Sequence, residues 1–215
     1  MSFSSIVKQE VSQKIMEGND ARAELSALIQ MCSSLSFSNR GMTILVTVEN
    51  AAVARVIYRM VKERYNSEIE LFVKKKMNLK KNRIYGLRIL SAAPVILMDL
   101  GIYSARGLLE KPLQKIVASD NNARAYLVGA FLAGGSINPP EKTNYHLEIT
   151  AANEEHAFFI QEVMNRFYLN AKVIERRNKF VVKLACFIKG CQGEYRCGFV
   201  FIGASNHIPI IFWGI

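Results

Sequence analysis

The sequence predicts an α+β fold in which one unit, running helix, short strand, strand, helix, strand, strand, occurs twice. Three observations support this prediction. Half of the 215 residues are hydrophobic, which is enough for one large or two small domains with a core. Segments with apolar residues at helical spacing alternate with segments in which every second residue is apolar. Asn153 and Tyr168 of the second half follow Asn50 and Tyr65 of the first by 103 residues, which indicates an internal duplication.

The first half opens with an amphipathic helix and then supplies one complete unit. Its predicted elements are helices at 3–15 and 23–35, a turn at 38–41, a strand at 43–49, a helix from 50 to about 65, and strands at 69–76 and 83–90 joined by a polar turn at 77–82. Alternation places Ile44, Val46 and Val48 on one face of the strand. Asn50 suits the N-cap of the following helix, whose apolar residues form an i, i+3, i+4, i+7 stripe.

The second half repeats this order. Its predicted elements are a small-residue helix at 124–136, a break at 138–140, a strand at 145–151, a helix capped by Asn153 that reaches Tyr168, and a hairpin of 171–177 with 179–184. Segments 92–100 and 107–118 are predicted as helical linkers, with Pro94 in a first turn. We therefore expect the N-terminal helix and first unit in 1–90, a linker in 91–120, the second unit in 121–206 and an atypical tail in 207–215.

Charge points to a polyanionic partner. The chain has 28 Lys and Arg against 18 Asp and Glu, a net charge of +10, which favours nucleic acid or an anionic membrane surface. No apolar run reaches the ~18 residues of a membrane span, and no signal peptide is present, so we expect neither membrane insertion nor secretion. Four cysteines without regular spacing fit a reducing cytosol.

The small-residue helix of the second half carries glycines where a soluble helix normally avoids them. Gly129 and Ala133 lie on one face, as do Ala130 and Gly134. Each glycine costs up to ~1 kcal/mol relative to alanine, so we expect a compensating close approach of a second backbone. Gly135 is expected to end the helix.

The segment YLVGAFLAGGS at 126–136, together with YHLEI at 145–149, resembles the central motif of the WhiA family of bacterial sporulation and cell-division regulators. Segments 8–11, 82–85 and 176–180 extend the resemblance from residue 1 to about 182. The family is related to LAGLIDADG homing endonucleases. The resemblance therefore implies two αββαββ halves around a pseudo-twofold axis and sheets that form a basic saddle over DNA. The residues expected to pack the motif helices at the centre are Leu127, Gly129, Ala130, Ala133 and Gly134.

The resemblance also implies that nuclease chemistry has been lost. In an active nuclease of that class each motif helix ends in a carboxylate that binds a divalent metal. Those positions correspond to Cys32 and Gly134, and neither replaces a hard oxygen ligand. His146, His156 and His207 show no metal-binding or catalytic spacing. We expect no enzymatic activity, no metal and no cofactor.

Basic residues form a cluster between 74 and 88 that contains no acid. Such a cluster is usually only a solvated surface. The implied fold instead places it on a hairpin tip, with a matching basic tip in the second half, where both suit phosphate contacts on double-stranded DNA. The predicted nucleic-acid-binding residues are Lys74, Lys75, Lys76, Lys80, Lys81, Arg83, Arg176, Arg177 and Lys179.

Residues 183–200 and 207–215 depart from the family's pattern, whereas 202–206 resemble it again. One hypothesis is that these stretches are read out of frame. The alternative is a zinc site at Cys186, Cys191 and Cys197. We expect the chain to lack the family's C-terminal helix-turn-helix domain, the natural reader of base edges.

Two functions remain open. One is a cytoplasmic, nucleoid-associated DNA-binding regulator of cell division, chromosome segregation, sporulation genes or transcription, built on an inactive nuclease scaffold. The other is a protein-interaction scaffold, with regulatory protein partners and no intrinsic DNA binding. Retention on DNA that weakens with salt separates them.

Overall fold

A computed structural model describes residues 2–39, 41–75, 83–139 and 145–186, with the backbone alone described at 145, 146, 185 and 186. Its helices are α1 Phe3–Val11, α2 Gly18–Cys32, α3 Ala51–Tyr65, α4 Ala93–Asp99, α5 Asp120–Gly134 and α6 Glu154–Asn165. Its strands are β1 Ser33–Ser38, β2 Gly41–Val48, β3 Ile69–Lys75, β4 Arg83–Ile89, β5 Tyr103–Ser104, β6 Gly107–Leu108, β7 Gly135–Ile137, β8 Tyr145–Thr150, β9 Lys172–Arg176 and β10 Lys179–Cys186. No helix within these ranges is long and apolar enough to cross a bilayer.

Two four-stranded antiparallel sheets share one strand order. The first sheet runs β1-β2-β4-β3 and the second runs β7-β8-β10-β9. In each half the strands and helices follow one another as αββαββ, starting with α2 and with α5. The predicted α+β fold with two copies of this unit is confirmed.

Helices α2 and α5 pack against each other at the centre of one hydrophobic core. The inner face of each sheet closes over them. Ile44 and Val46 of β2 are fully buried, and Leu147 and Ile149 of β8 are at most 1% exposed, as the alternation predicts. Burial of apolar area stabilises this arrangement by roughly 25 cal/mol per Å².

Asparagine caps begin the corresponding helices of the two halves, as predicted. The Asn50 side chain accepts a hydrogen bond of 2.8 Å from the Ala52 amide, and Asn153 accepts one of 2.8 Å from His156. The ends differ. Helix α3 ends at Tyr65, but α6 ends at Asn165, three residues before the predicted Tyr168, whose backbone is left-handed with φ of 60°.

Other boundaries also differ from prediction, and α2 and α5 begin earlier than predicted, at Gly18 and Asp120. Helix α1 ends at Val11, and α2 gives way to β1 at Ser33 because residues 33–38 pair with β2. The prediction of a helix at 107–118 is wrong. It contains β6, then a 3₁₀ turn at Gln114–Val117, and Pro112 between them lacks the amide that a longer helix needs. Linker helix α4 forms as predicted, with Pro94 in its first turn.

Helix α1 joins the two halves from the N-terminus. It contacts α3 of the first half and α5 and β7 of the second. The Ser4 hydroxyl donates to the Ile137 carbonyl at 2.9 Å and accepts from the Ile137 amide at 3.0 Å. Val7 and Val11 are buried beneath it.

Several predicted features lie outside the described residues. They are the turn at 77–82, Lys76, Lys80, Lys81, Cys191, Cys197, His207 and the segments 187–200, 202–206 and 207–215. The backbone of Cys186 is described, and it continues strand β10, where it pairs with Tyr145.

Candidate nucleic-acid interface

The central helices approach most closely at Gly129. A Cβ atom at this position would overlap the Glu24 carbonyl oxygen and lie 3.0 Å from the Ala27 Cβ. Leu127 and Ala130 are fully buried in the same helix, and Ala133 is partly buried at its end. The missing side chain therefore lets α5 reach the backbone of α2.

Neither central helix ends in an acidic residue. Gly134 closes α5 beneath the Thr150 carbonyl oxygen, which a Cβ atom at 134 would overlap, and the Met31 Cε would lie 2.7 Å away. Cys32 closes α2 as a free thiol, and burial raises its pKa to about 12. Within the described ranges, no group of three His, Cys, Asp or Glu side chains could hold a metal ion.

The outer face of the first sheet, away from the helices, carries an aromatic ring between charges. Phe72 lies opposite Gly86, and a Cβ atom at 86 would overlap its ring. The Lys74 Nζ lies 5.1 Å and the Arg88 Cζ 6.0 Å from the ring centroid. Arg88 also pairs with Glu70 at 2.8 Å. Lys74 is a cation of this outer face that makes no ion pair with a carboxylate among the described residues.

The outer face of the second sheet is more basic. Register places Lys172 opposite Lys183 and Arg176 opposite Lys179, all on the face that also carries Thr150. Like charges directly opposite each other destabilise a sheet pair. One acid, Glu148, lies on this face opposite Lys183 from the other side. The two cation pairs make this face an attractive surface for an anion.

The other predicted basic residues lie at the ends of the hairpins. Arg177 and Asn178 form the β9–β10 turn with φ of 52° and 57°, so Arg177 is an exposed tip residue. Lys75 and Arg83 are a third pair of directly opposed cations, at the end of β3 and β4. Alternation puts this pair on the opposite face from Lys74, so the first basic cluster is divided between two faces.

Lys172 and Lys183 were missed because they lie four residues before Arg176 and four after Lys179, outside the basic run at the turn. Following every second residue along both strands identifies them. Once the turn is placed at 177–178, the alternation puts four basic residues on the same face of the hairpin: Lys172, Arg176, Lys179 and Lys183.

Lys8 is another cation that sequence reasoning missed as a site residue. It lines a cavity of about 370 Å³ at the end of α2, together with Cys32, Thr47 and Glu49. Burial lowers the Lys8 pKa to about 8, while the nearby Cys32 and Glu49 act in the opposite direction. A second cavity of about 500 Å³ lies at the end of α5 and is lined by Gly134, Thr150, Asn153 and Lys179.

His156 belongs to the core instead of a site. Its Nε2 lies 2.6 Å from the Tyr126 hydroxyl, and the histidine and tyrosine rings meet edge to face. Burial lowers the His156 pKa to about 4, so the ring is neutral at physiological pH. The contact between His156 and Tyr126 holds α6 against α5.

Comparisons with known proteins agree with the architecture. The model of the WhiA N-terminal LAGLIDADG-like domain matches residues 19–103, and that of the WhiA LAGLIDADG-like domain matches 123–186. The probable cell division protein WhiA of Bacillus pumilus strain SAFR-032 is 44% identical over 182 residues, which are 84% of this chain and 58% of that protein. The chain thus spans less than two thirds of this relative's length.

Two kinds of solved structure share the fold. The N-terminal LAGLIDADG domain of DUF199/WhiA superposes with a TM-score of 0.67 at 22% identity, covering 86% of this chain and 84% of that domain. The homing endonuclease I-DmoI, solved in complex with DNA and Mn, superposes with a TM-score of 0.53 at 14% identity, covering 77% and 89%. At these identities the likeness shows the fold alone.

Proposed function

Because the chain belongs to the WhiA family, we propose that it is a DNA-binding regulator of cell division, chromosome segregation or sporulation gene control. In this proposal it lies on the nucleoid and binds double-stranded DNA across the outer faces of its two sheets. Its scaffold is that of a homing endonuclease, without the nuclease reaction. The relatives' cell-division name supports the biological role, and I-DmoI shows that a protein of this fold binds DNA.

The observation that carries the proposal is the set of directly opposed cations. Lys172 with Lys183 and Arg176 with Lys179 share the outer face of the second sheet. Lys75 with Arg83 is a third opposed pair, at the hairpin end of the first sheet, but it lies on the face opposite to Lys74 and does not belong to the outer face. Each such pair is unfavourable by itself. A phosphate oxygen placed between two cations removes the repulsion, and a duplex offers one charge per ~1.7 Å of helix axis.

The chemistry of the helix ends supports a non-enzymatic role. Metal-assisted phosphodiester cleavage needs hard oxygen ligands near the scissile bond. At position 134 a side chain would collide with the Thr150 main chain, and at position 32 the thiol is protonated. Purified protein incubated with supercoiled plasmid and magnesium is expected to leave it intact. Specific nicking abolished by a substitution near the helix ends would contradict this.

The test of DNA binding is a salt titration of the wild-type chain with a fluorescent 30-base-pair duplex. We expect log K to fall linearly with log salt, with a slope of roughly −0.9 for each phosphate neutralised. Lys172→Gln combined with Arg176→Gln should make the slope less steep by about 1.8 and weaken binding to all sequences alike. Lys115→Gln, an exposed lysine in the 3₁₀ segment beside α2 and α5, is the matched control.

The second candidate is a protein-interaction scaffold. Leu71 and Val73 of edge strand β3 are 64% and 58% exposed, which is an unusual apolar surface for an edge strand. No retention of the wild-type chain on DNA at 50 mM salt would favour this function over the first.

A further inference from the structure

Edge strand β3 of the first sheet presents apolar side chains to solvent on its inner face. Leu71 lies opposite the fully buried Leu87, and Val73 shares its strand parity, yet the two side chains are 64% and 58% exposed. Helix α3 packs on β2 and β4, which leaves the inner face of β3 open among the described residues. An exposed apolar edge strand favours pairing with another strand.

The hydrogen bonds between β3 and β4 leave alternate residues of β3 available to such a partner. The Leu90 amide donates to the Glu68 carbonyl at 2.9 Å, one pair beyond the end of the strand pairing. Hydrogen-bonded pairs alternate along an antiparallel ladder, so the backbone groups of Phe72 bond to β4. The N–H and C=O groups of Leu71 and Val73 therefore point away from β4, towards the free edge.

The charge order of β3 makes it complementary to itself in the antiparallel direction. Glu70 stands two residues before Phe72, Lys74 stands two residues after it, and all three lie on the outer face. Two copies paired about Phe72 place Glu70 of each copy opposite Lys74 of the other, and Leu71 opposite Val73. Directly opposed unlike charges stabilise a strand pair. The same register joins the residues whose backbone groups point to the edge.

The corresponding edge strand of the second sheet, β9, has the opposite character. Antiparallel pairing of two copies about its central residue, Ile174, would place Lys172 of each copy opposite Arg176 of the other. Like charges directly opposite each other destabilise a strand pair, and charged side chains commonly protect edge strands. The charge pattern thus favours self-pairing at β3 and opposes it at β9.

We propose that β3 binds β3 of a second copy of this chain, so that two four-stranded sheets join into one antiparallel sheet around a twofold axis. Lys74 gains a carboxylate partner in this dimer, and Leu71 and Val73 are covered. One strand edge on each side buries less than the ~1,200 Å² of a standard interface, so the dimer is weak and depends on protein concentration. The inference goes beyond the proposed function, since it holds with or without DNA.

The test is sedimentation velocity of the wild type without DNA, at protein concentrations from about 10 to about 500 μM. The sedimentation coefficient should rise from that of the monomer towards that of a dimer. Lys74→Glu and Glu70→Lys should each stay monomeric, because each variant opposes like charges. An equimolar mixture of the two variants should dimerise, because unlike charges then meet at both positions. Lys115→Glu makes the same change in net charge away from β3 and is the matched control.

Amide hydrogen exchange supplies a second readout on the unmodified chain. The amides of Leu71 and Val73 should exchange more slowly as protein concentration rises, whereas the Phe72 amide, bonded to β4, should keep its rate. Val73→Pro removes a donor from the free edge and none from the β3–β4 ladder. This variant should keep a wild-type circular dichroism melt and stay monomeric.

Each outcome decides for or against the pairing. A wild type that stays monomeric at all concentrations overturns it, and slow exchange at Leu71 and Val73 in that monomer would assign the edge to another segment of the same chain. Dimerisation that persists in Lys74→Glu and in Val73→Pro would place the interface elsewhere and also overturn it. A mixture of the two charge variants that stays monomeric would contradict the register.

Discussion

A single absent methyl group at residue 129 sets the distance between the two central helices. Glycine is otherwise unfavourable in a helix, yet here it faces the Glu24 carbonyl oxygen instead of a side chain. The cost of glycine is offset by the buried surface of the whole helix pair, which includes Leu25, Leu28 and Phe131. The sequence predicted the close approach but not the partner residue, because Glu24 contributes only its backbone.

Gly129→Ala should destabilise the protein by about 2–3 kcal/mol, because the new Cβ atom forces the two backbones apart in a packed core. Urea unfolding followed by circular dichroism measures the change. Asn121→Ala, at an exposed position of the same helix, should change stability by less than about 0.5 kcal/mol. Equal stability of Gly129→Ala and wild type would refute the close approach.

The Glu24 side chain makes stability depend on pH. It is 1% exposed, its Oε2 has no hydrogen-bond partner among the residues that the structure describes, and burial raises its pKa from 4.5 to about 8. The folded state therefore holds a proton that the unfolded state has released. The protonated Glu24 carboxyl therefore contributes to the free energy of unfolding in full below about pH 4.5, and this contribution is lost as pH rises through 8.

Glu24→Gln should flatten the fall in unfolding free energy between pH 5 and 8, a fall on the order of 3 kcal/mol in the wild type. Urea titrations at each pH give the two curves. Glu63→Gln, an exposed glutamate on α3, should keep the wild-type dependence. Parallel curves for Glu24→Gln and wild type would show that the Glu24 carboxyl is ionised in the folded protein.

At the scale of elements, local patterns predicted most of the fold. The two asparagine caps, the alternating strands and the amphipathic α3 depend on neighbouring residues alone, so they could be read directly. Segment 107–118 was predicted wrongly although Pro112 is a local signal against a helix, and its turns are held by hydrogen bonds to the residues just before it, such as Leu113 N to Gly101 O at 3.0 Å. The basic surface was partly predicted. Its residues at the hairpin turn stood together in sequence, whereas Lys172 and Lys183 meet only through strand pairing.

The paired caps make a direct test of the repeat. Asn50→Ala and Asn153→Ala should each cost about 1 kcal/mol, and Asn153→Ala should cost more because its Nδ2 also donates to the Glu110 carbonyl at 3.0 Å. Thermal melts report the difference. Asn50→Ser should retain nearly all stability, since serine also caps, whereas Asn153→Ser should lose the Glu110 contact. Equal losses for both serine variants would contradict this asymmetry.

At the scale of the whole molecule, the twofold scaffold is complete, whereas the central helices lack the terminal acids that the resemblance implies for an active nuclease. The two sheets have equal strand order and a cavity lies at the end of each central helix, but the helices end in Cys32 and Gly134 instead of acids. The resemblance implied acids at positions 32 and 134 of an active nuclease, and the sequence has Cys32 and Gly134 there. The sequence could not show that the Thr150 main chain occupies the space a side chain at 134 needs, because the two positions are distant in the chain.

Restoring the acids should therefore fail to restore cleavage. Cys32→Asp with Gly134→Asp is expected to show no magnesium-dependent nicking of plasmid DNA and to lose about 3 kcal/mol of stability or more, mostly from position 134. Cys32→Asp alone should fold, with its carboxylate paired to Lys8, the cation in the same cavity. Nicking by the double variant at a level tracking magnesium concentration would contradict this expectation.

Helix α1 also has a consequence for the order of events during synthesis. It precedes both units in the sequence, yet Ser4 binds the backbone of Ile137, 133 residues later. Val7 and Val11 have no complete surface to cover until α5 and β7 have emerged. During synthesis α1 can therefore contact α3 of the first unit but not α5 and β7, and the cavity lined by Lys8 is completed only when Leu132 and Ala133 of the second unit fold against it.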